Sequence, residues 1–122
     1  MSFDALYGLE LIDCSDSLVR GRVPVRAALT QSAGLVHAGV YSAISEALAC
    51  RGTDAGVGGD SRVAVGLSNL TTTLHPIAAG TIHATAVSRH RGRTTWVWEV
   101  EISDDEQRRC AVARVTVAVR DA

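Results

Sequence analysis

The chain has 122 residues, of which 47% are hydrophobic and 20% are charged. This length and composition predict one folded domain spanning residues 1–122 and exclude a multidomain enzyme. The formal net charge of −1 excludes a strongly basic surface of the kind that attracts nucleic acid or anionic membranes, so we expect neither as a partner.

No apolar run approaches the ~18 residues of a membrane span, and the first residues lack the basic start and apolar stretch of a signal peptide. The expected location is therefore cytoplasmic. The three cysteines, Cys14, Cys50 and Cys110, are odd in number and widely spaced. This spacing predicts reduced thiols and argues against a disulfide framework or a zinc ribbon.

The N-terminal part of the chain predicts two strands, over residues 8–13 and 18–27, with a turn at 15–17 between them. In the second strand valine alternates with arginine, which indicates one buried and one solvated face. Because Pro24 lacks a backbone N–H, we expect this strand at a sheet edge or at a bulge.

Residues 38–50 are rich in helix formers and apolar on almost every side, a composition typical of a buried helix. Arg51 and Gly52 supply a cation and a C′ glycine, so the helix is expected to end there. Residues 52–61 are then expected to form a flexible loop.

The rest of the chain alternates in the manner of antiparallel strands joined by hairpin turns. The predicted strands cover residues 62–74, 81–90, 94–102 and 110–120. Two strands, one long helix and four further strands predict an α+β fold in which a single antiparallel sheet wraps a central helix.

Familiar phosphate and metal motifs are missing from this sequence. The glycine-rich residues 52–59 match neither dinucleotide-binding nor P-loop patterns. The four histidines show no helical pairing and no nearby ligand residues at metal-binding spacing. We therefore expect no metal site.

Glu46 is the only carboxylate or arginine between Arg26 and Arg51, and it lies within the predicted helix. A buried, unpaired carboxylate costs several kcal/mol, so its presence calls for a partner or a purpose. One interpretation is an ion pair with an arginine across a subunit contact. The other is a carboxylate in a dry cleft that acts as a base or nucleophile. At helical spacing Ser42 and Cys50 share its stripe.

The start of the same helix offers a second chemical group. His37-Ala38-Gly39 leads into the helix, where free backbone N–H groups and the helix dipole can stabilise an oxyanion. His37 either caps the helix or orients the reacting groups. One helix could thus supply an electropositive end and, two turns later, a carboxylate, which together suit acyl transfer.

Gln31, His37-Ala38-Gly39 and Glu46 resemble the helix motif of hotdog-fold acyl-CoA thioesterases of the phenylacetate-degradation and 4-hydroxybenzoyl-CoA types. The resemblance continues through residues 65–69, 74–76, 80–82, 90–93 and 110–114. It implies hydrolysis of an acyl-CoA at a subunit interface. The amide of Ala38, helped by Gln31, would polarise the carbonyl, and Glu46 of the partner subunit would be nucleophile or general base.

Three positions depart from the family pattern. Ala38 replaces the first motif glycine, which keeps the amide but adds a methyl group near the acyl group. Cys50 stands where the family often has Ser or Thr, a stronger hydrogen-bonding group. His75 precedes Pro76 where the family often has an arginine for a CoA phosphate.

A cluster of arginines marks a candidate site for the phosphates of CoA. Residues 89–95 hold three arginines and two threonines on one hairpin, namely Arg89, Arg91, Arg93, Thr94 and Thr95. This hairpin is either a solvated turn or a phosphate-binding patch.

The sequence thus predicts a thioesterase for short or aromatic acyl-CoA substrates, with the amides of Ala38 and Gly39 as oxyanion donors and Glu46 as the carboxylate. We expect a homodimer or a homotetramer built as a dimer of dimers, and no cofactor apart from the coenzyme A of the substrate. Two alternatives stay open. One is a hydratase or dehydratase, which needs a positioned His–Asp or His–Glu pair. The other is a non-catalytic acyl-CoA-binding or structural oligomer.

Overall fold

The computed structural model describes residues 1–59 and 61–122. In these residues a six-stranded antiparallel sheet, in the order β1-β2-β4-β5-β6-β3, curves around one long helix. The predicted α+β arrangement is therefore confirmed. The helices are α1 (Phe3–Leu6) and α2 (Ala38–Val57), and a 3₁₀ turn covers Ala27–Leu29. The strands are β1 (Glu10–Cys14), β2 (Leu18–Pro24), β3 (Arg62–Thr73), β4 (Thr81–Arg91), β5 (Thr95–Ser103) and β6 (Arg109–Asp121).

The prediction that the central helix ends at Gly52 is wrong, since α2 continues to Val57 and takes up much of the predicted loop over 52–61, of which residue 60 lies outside the described residues. Gly52 lies beneath Trp98, and a Cβ at this glycine would come within 2.3 Å of the indole. Gly56, one turn later, has the same relation to Trp96. These glycines let the helix approach two large rings, and the C′ position belongs to Gly58, whose φ is +46°.

The core lies between the concave face of the sheet and one side of α2. The rings of Trp96 and Trp98 stack with centroids 6.2 Å apart. The indole N–H of Trp98 donates to the hydroxyl of Thr53, which in turn donates to the carbonyl of Ala49. This chain of hydrogen bonds ties the last turns of the helix to the middle of the sheet.

The expectation that Pro24 marks an edge strand is also wrong, because β2 lies between β1 and β4. Pro24 is the last residue of β2 and pairs with Thr81 of β4, whereas β1 pairs no further than Arg22. Pro24 therefore lacks its N–H at a position of β2 that β1 does not reach, so no hydrogen bond between β1 and β2 is lost. The two edges of the sheet are β1 and β3.

Candidate active site

A polar stripe runs along the flank of α2 that faces the edge strand β3. At one end the side-chain amide of Asn69 donates to the carbonyl of Ser42 at 2.9 Å. Further along the helix, the carboxylate of Asp54 accepts from the N–H of Ala64 at 3.1 Å. The sequence predicted a helix buried on almost every side. The structure corrects this prediction, because this flank of α2 remains open beside the sheet edge.

Glu46 lies in the middle of this stripe with its carboxylate against Gly66 of β3. A Cβ at Gly66 would stand 2.8 Å from Cδ and 2.9 Å from Oε1 of Glu46, so the glycine makes room for the carboxylate. Glu46 lines a crevice of about 500 Å³ together with Ser42 and Cys50.

Glu46 is exposed in the single chain, which corrects the expectation of a dry carboxylate. It forms no ion pair with any arginine in the described part of the chain. Its flank of the helix lies against β3, an edge strand. Within residues 1–59 and 61–122 this carboxylate is therefore open to solvent.

Cys50 lies one helical turn after Glu46 and is half-buried in the same crevice. Burial first, and then the charge of Glu46, raise the pKa of the Cys50 thiol to about 11. The thiol is accordingly neutral at physiological pH and is a poor nucleophile. Its place in the crevice suits contact with a ligand.

His37 is the N-cap of α2, and its Nδ1 accepts from the N–H of Gly39 at 2.8 Å. This corrects the expectation that the amides of both Ala38 and Gly39 face an oxyanion, since the Gly39 amide is already occupied. The N–H of Ala38 donates to no acceptor found within residues 1–59 and 61–122. Ala38 is therefore the available donor at this helix end.

Gln31 is exposed, and its side-chain oxygen accepts from the N–H of Ala33 in its own loop. That loop is closed by a bridge between Thr30 and Val36.

Ala38 and Glu46 are eight residues apart on one helix, a rise of about 12 Å. A single carbonyl group needs an oxyanion donor and an attacking atom each within about 3–3.5 Å. The helix end and the Glu46 backbone are therefore well separated along α2, and the Glu46 side chain must span most of that distance if one chain is to hold both groups.

The candidate phosphate-binding residues lie apart from the Glu46 crevice within one chain. Arg89 is on the convex face of the sheet, 3.4 Å from Glu99. Arg91 pairs with Asp16 at 3.1 Å, near the C-terminal end of α2. Arg93, Thr94 and Thr95 continue the same hairpin, and His75 follows β3 with its N–H on the carbonyl of Cys110.

A His–Asp pair is present that the sequence did not reveal, because its members are 22 residues apart. Nε2 of His83 lies 2.8 Å from Oδ1 of Asp105, and the N–H of Thr81 also contacts this carboxylate. These contacts, the histidine first, lower the pKa of Asp105. His83 alternates with the buried Ile82 and Ala84, so the pair is on the convex face, away from α2.

Among the described residues no helix is long and apolar enough to cross a membrane.

The family model of the thioesterase superfamily matches residues 33–111. The Mycobacterium tuberculosis protein Rv1847 is 35% identical over 98% of this chain and 85% of its own length. Its solved structure covers 98% of this chain and 97% of its own, with a TM-score of 0.94.

A second relative is the 1,4-dihydroxy-2-naphthoyl-CoA hydrolase of Listeria monocytogenes, which is 28% identical over 98% of this chain and 97% of its own length. Structures of the thioesterase SAV0944 from Staphylococcus aureus include a Glu-to-Ala variant. This variant is 26% identical to the present chain, covers 99% of it and 100% of its own chain, and has a TM-score of 0.96. Another carries a Gln-to-Ala change, and the two positions are as far apart as Gln31 and Glu46. The fold and these matches together establish that the chain belongs to the hotdog-fold thioesterase superfamily.

Proposed function

We propose that the protein hydrolyses acyl-CoA thioesters, with Glu46 as the catalytic carboxylate. The observation that carries this proposal is the position of the Glu46 carboxylate. It packs against Gly66 in a crevice beside the edge strand β3. A carboxylate placed there is fixed on one side by the strand and accessible on the other to a substrate. The variants of SAV0944 at equivalent spacing support the choice of Gln31 and Glu46.

The active form in this proposal is a dimer that pairs the two β3 strands. β3 is an edge strand whose outer side pairs with no other strand of the described chain and which exposes apolar side chains, features that favour pairing with another strand. A two-fold axis through such a pair sets the two α2 helices antiparallel. The Ala38 end of one helix then approaches Glu46 of the other, so that each proposed site combines groups from both chains.

In this site the substrate carbonyl oxygen accepts from the N–H of Ala38, which stabilises the negative charge that forms on it. The partner's Glu46 then either attacks the carbonyl carbon or takes a proton from water that attacks it. Direct attack expels the thiol and leaves a mixed anhydride between Glu46 and the acyl group, which one water then cleaves; the general-base route adds that water to the carbonyl carbon before the thiol leaves. Label recovered in Glu46 after a single turnover in ¹⁸O-labelled water would establish direct attack, since the general-base route places label only in the product acid.

The proposed substrates carry short or aromatic acyl groups. The Listeria relative is named for an aromatic acyl-CoA, which supports testing aromatic thioesters first. The hairpin that holds Arg91 and Arg93 is the proposed contact for CoA phosphates. Either subunit of the dimer can supply this hairpin to a given site. Replacing both by alanine is then expected to raise KM with little change in kcat.

A dimer of dimers is proposed as the larger assembly. The outer face of the sheet, which points away from α2, contains a recess of about 760 Å³. Its lining carries both positive and negative side chains, including Arg114, which lies 3.0 Å from Glu99. Such a surface complements a copy of itself across a two-fold axis. Sedimentation of wild type and Arg114→Glu distinguishes a dimer from a tetramer.

The function is tested by thiol release from a panel of aliphatic and aromatic acyl-CoA substrates. Glu46→Gln keeps the shape of the side chain and removes its charge, and we expect kcat to fall by orders of magnitude with folding intact. Glu106→Gln is the matched control, since Glu106 is exposed on the β5–β6 turn. No thiol release from any substrate, or equal rates for Glu46→Gln and wild type, would refute the proposal.

The hydratase alternative has one observation in its favour, the His83–Asp105 pair. That pair is on the opposite face of the sheet from α2, so it does not share a crevice with Glu46. Hydration of an enoyl-CoA without thiol release, lost in His83→Gln, would support this alternative. A structural role is supported if Glu46→Gln instead weakens oligomerisation.

A further inference from the structure

A second recess, which we name the N-terminal pocket, lies beside the start of α2. It encloses about 470 Å³, within the ~300–1,000 Å³ range of small-molecule sites. Short α1, absent from the sequence predictions, forms one wall. The apolar lining includes Phe3, Leu6, Tyr7, Leu29, Val40 and Ala43.

The N-terminal pocket is continuous with the crevice that holds Glu46. Phe3, Gly39 and Ala43 line both recesses. Gly39 directly follows Ala38, whose free N–H is the proposed oxyanion donor. A thioester whose carbonyl lies at that amide can therefore extend one substituent along these shared residues into the pocket.

Apart from Nε2 of His37, the side-chain polar groups that line the pocket are paired within the described chain. The hydroxyl of Tyr7 donates to Asp4 at 3.1 Å, and burial raises the Tyr7 pKa so that it stays protonated. The hydroxyl of Thr30 donates to a backbone carbonyl at 2.7 Å, and the guanidinium of Arg26 donates to a carbonyl of α1. An occupant would find few free hydrogen-bond partners, which favours an apolar group.

The wall formed by α1 is held in place yet leaves apolar area uncovered. Ser2 caps the helix, and Asp4 lies 3.3 Å from Arg51 of α2. Phe3 and Leu6 nevertheless expose 66% and 59% of their surface. A ligand in the pocket would remove part of this apolar area from water, which is favourable.

We propose that the N-terminal pocket receives an apolar acyl chain of the thioester and that Phe3 and Leu6 set the acyl length the enzyme prefers. This inference rests on the proposed acyl-CoA hydrolysis and makes the substrate class specific: unsubstituted hydrocarbon acyl groups are favoured over acyl groups with polar substituents at their far end.

The first test measures kcat/KM by thiol release with acetyl-, butanoyl-, hexanoyl- and octanoyl-CoA. Each methylene that enters the pocket is expected to raise kcat/KM about four-fold until the pocket is full. Phe3→Ala should reduce the ratio of hexanoyl- to butanoyl-CoA kcat/KM at least three-fold. Ala28→Phe, which adds a ring to the pocket lining, should lower the ratio of octanoyl- to acetyl-CoA kcat/KM at least ten-fold.

Ile12→Ala is the control, because Ile12 is an exposed apolar residue of β1 that does not line the pocket. Its chain-length profile should match that of the wild type. The proposal is overturned if Phe3→Ala and Ala28→Phe change all four substrates by the same factor. That result would assign α1 a purely structural role, or the pocket to side chains of a second copy.

A binding experiment tests the pocket independently of turnover. S-hexyl-CoA and S-methyl-CoA are thioethers that cannot be hydrolysed, and calorimetry gives their affinities. We expect S-hexyl-CoA to bind at least ten-fold more tightly, with most of this difference lost in Phe3→Ala. Equal affinities in the wild type overturn the pocket proposal. Absence of thiol release together with tight S-hexyl-CoA binding instead refutes the catalytic proposal alone.

Discussion

Gly66→Ala should displace the carboxylate of Glu46 with little effect on the stability of the fold. The new Cβ would stand 2.8 Å from Cδ, 2.9 Å from Oε1 and 3.1 Å from Oε2 of Glu46. Carbon and oxygen atoms in ordinary contact are about 3.5 Å apart, so the carboxylate must move by about 0.5–1 Å. The moving atoms are at the far end of a flexible, exposed side chain, and Gly66 is not among the glycines with positive φ.

The cost to folding should therefore be small, within about 1 kcal/mol, as for most surface substitutions. Catalysis is more sensitive, because a displacement of about 1 Å in a reacting group can cost ~10²-fold. We expect kcat for thiol release to fall about 10- to 100-fold. Urea unfolding followed by tryptophan fluorescence checks stability, and Thr72→Ala on the other face of β3 is the control. Full activity in Gly66→Ala would refute the proposed seat of Glu46.

Three further substitutions test separate parts of the structure. Gly52→Ala should destabilise the fold by about 1–3 kcal/mol in urea unfolding, because a Cβ 2.3 Å from the buried Trp98 ring outweighs the ~1 kcal/mol gain in helix propensity; increased stability would contradict the packing described. Alkylation of Cys50 in a Cys14→Ser background should have its midpoint near pH 11, where burial and Glu46 place the pKa, and Glu46→Gln should lower that midpoint; a midpoint near 9 in both would show an open thiol. Ala38→Pro removes one N–H at the first helical position, where proline is favoured and His37 is already extended (φ −65°, ψ 133°), so stability should hold while kcat falls about 10²–10³-fold; unchanged kcat would exclude this amide as the oxyanion donor.

The strands were predictable because their side chains alternate. Trp98 and Val100 are buried while Glu99 and Glu101 are not, and this period of two is visible in the sequence. The end of the helix was not predictable, because Gly52 has the residue type of a C-terminal signal. Only the tertiary contact with Trp98 shows that this glycine makes space for a ring.

The sequence draws attention to the residues of the candidate site, whereas their geometry was not predictable. Glu46 is conspicuous as a lone charge in an apolar segment, but its exposure depends on the free edge of β3, which sequence periodicity does not reveal. The capture of the Gly39 amide by His37 depends on a rotamer. The pocket beside α1 depends on chain segments that meet only in the folded protein.

The central claim is that each active site joins the helix end of one chain to Glu46 of another. Co-expression of differently tagged Ala38→Pro and Glu46→Gln chains, each inactive alone, tests it most directly. In a dimer carrying one of each, one composite site has both defects and the other has neither, so an equal mixture should regain about a quarter of wild-type turnover. A mixed preparation as inactive as either parent, with heterodimers present, would contradict the two-chain site.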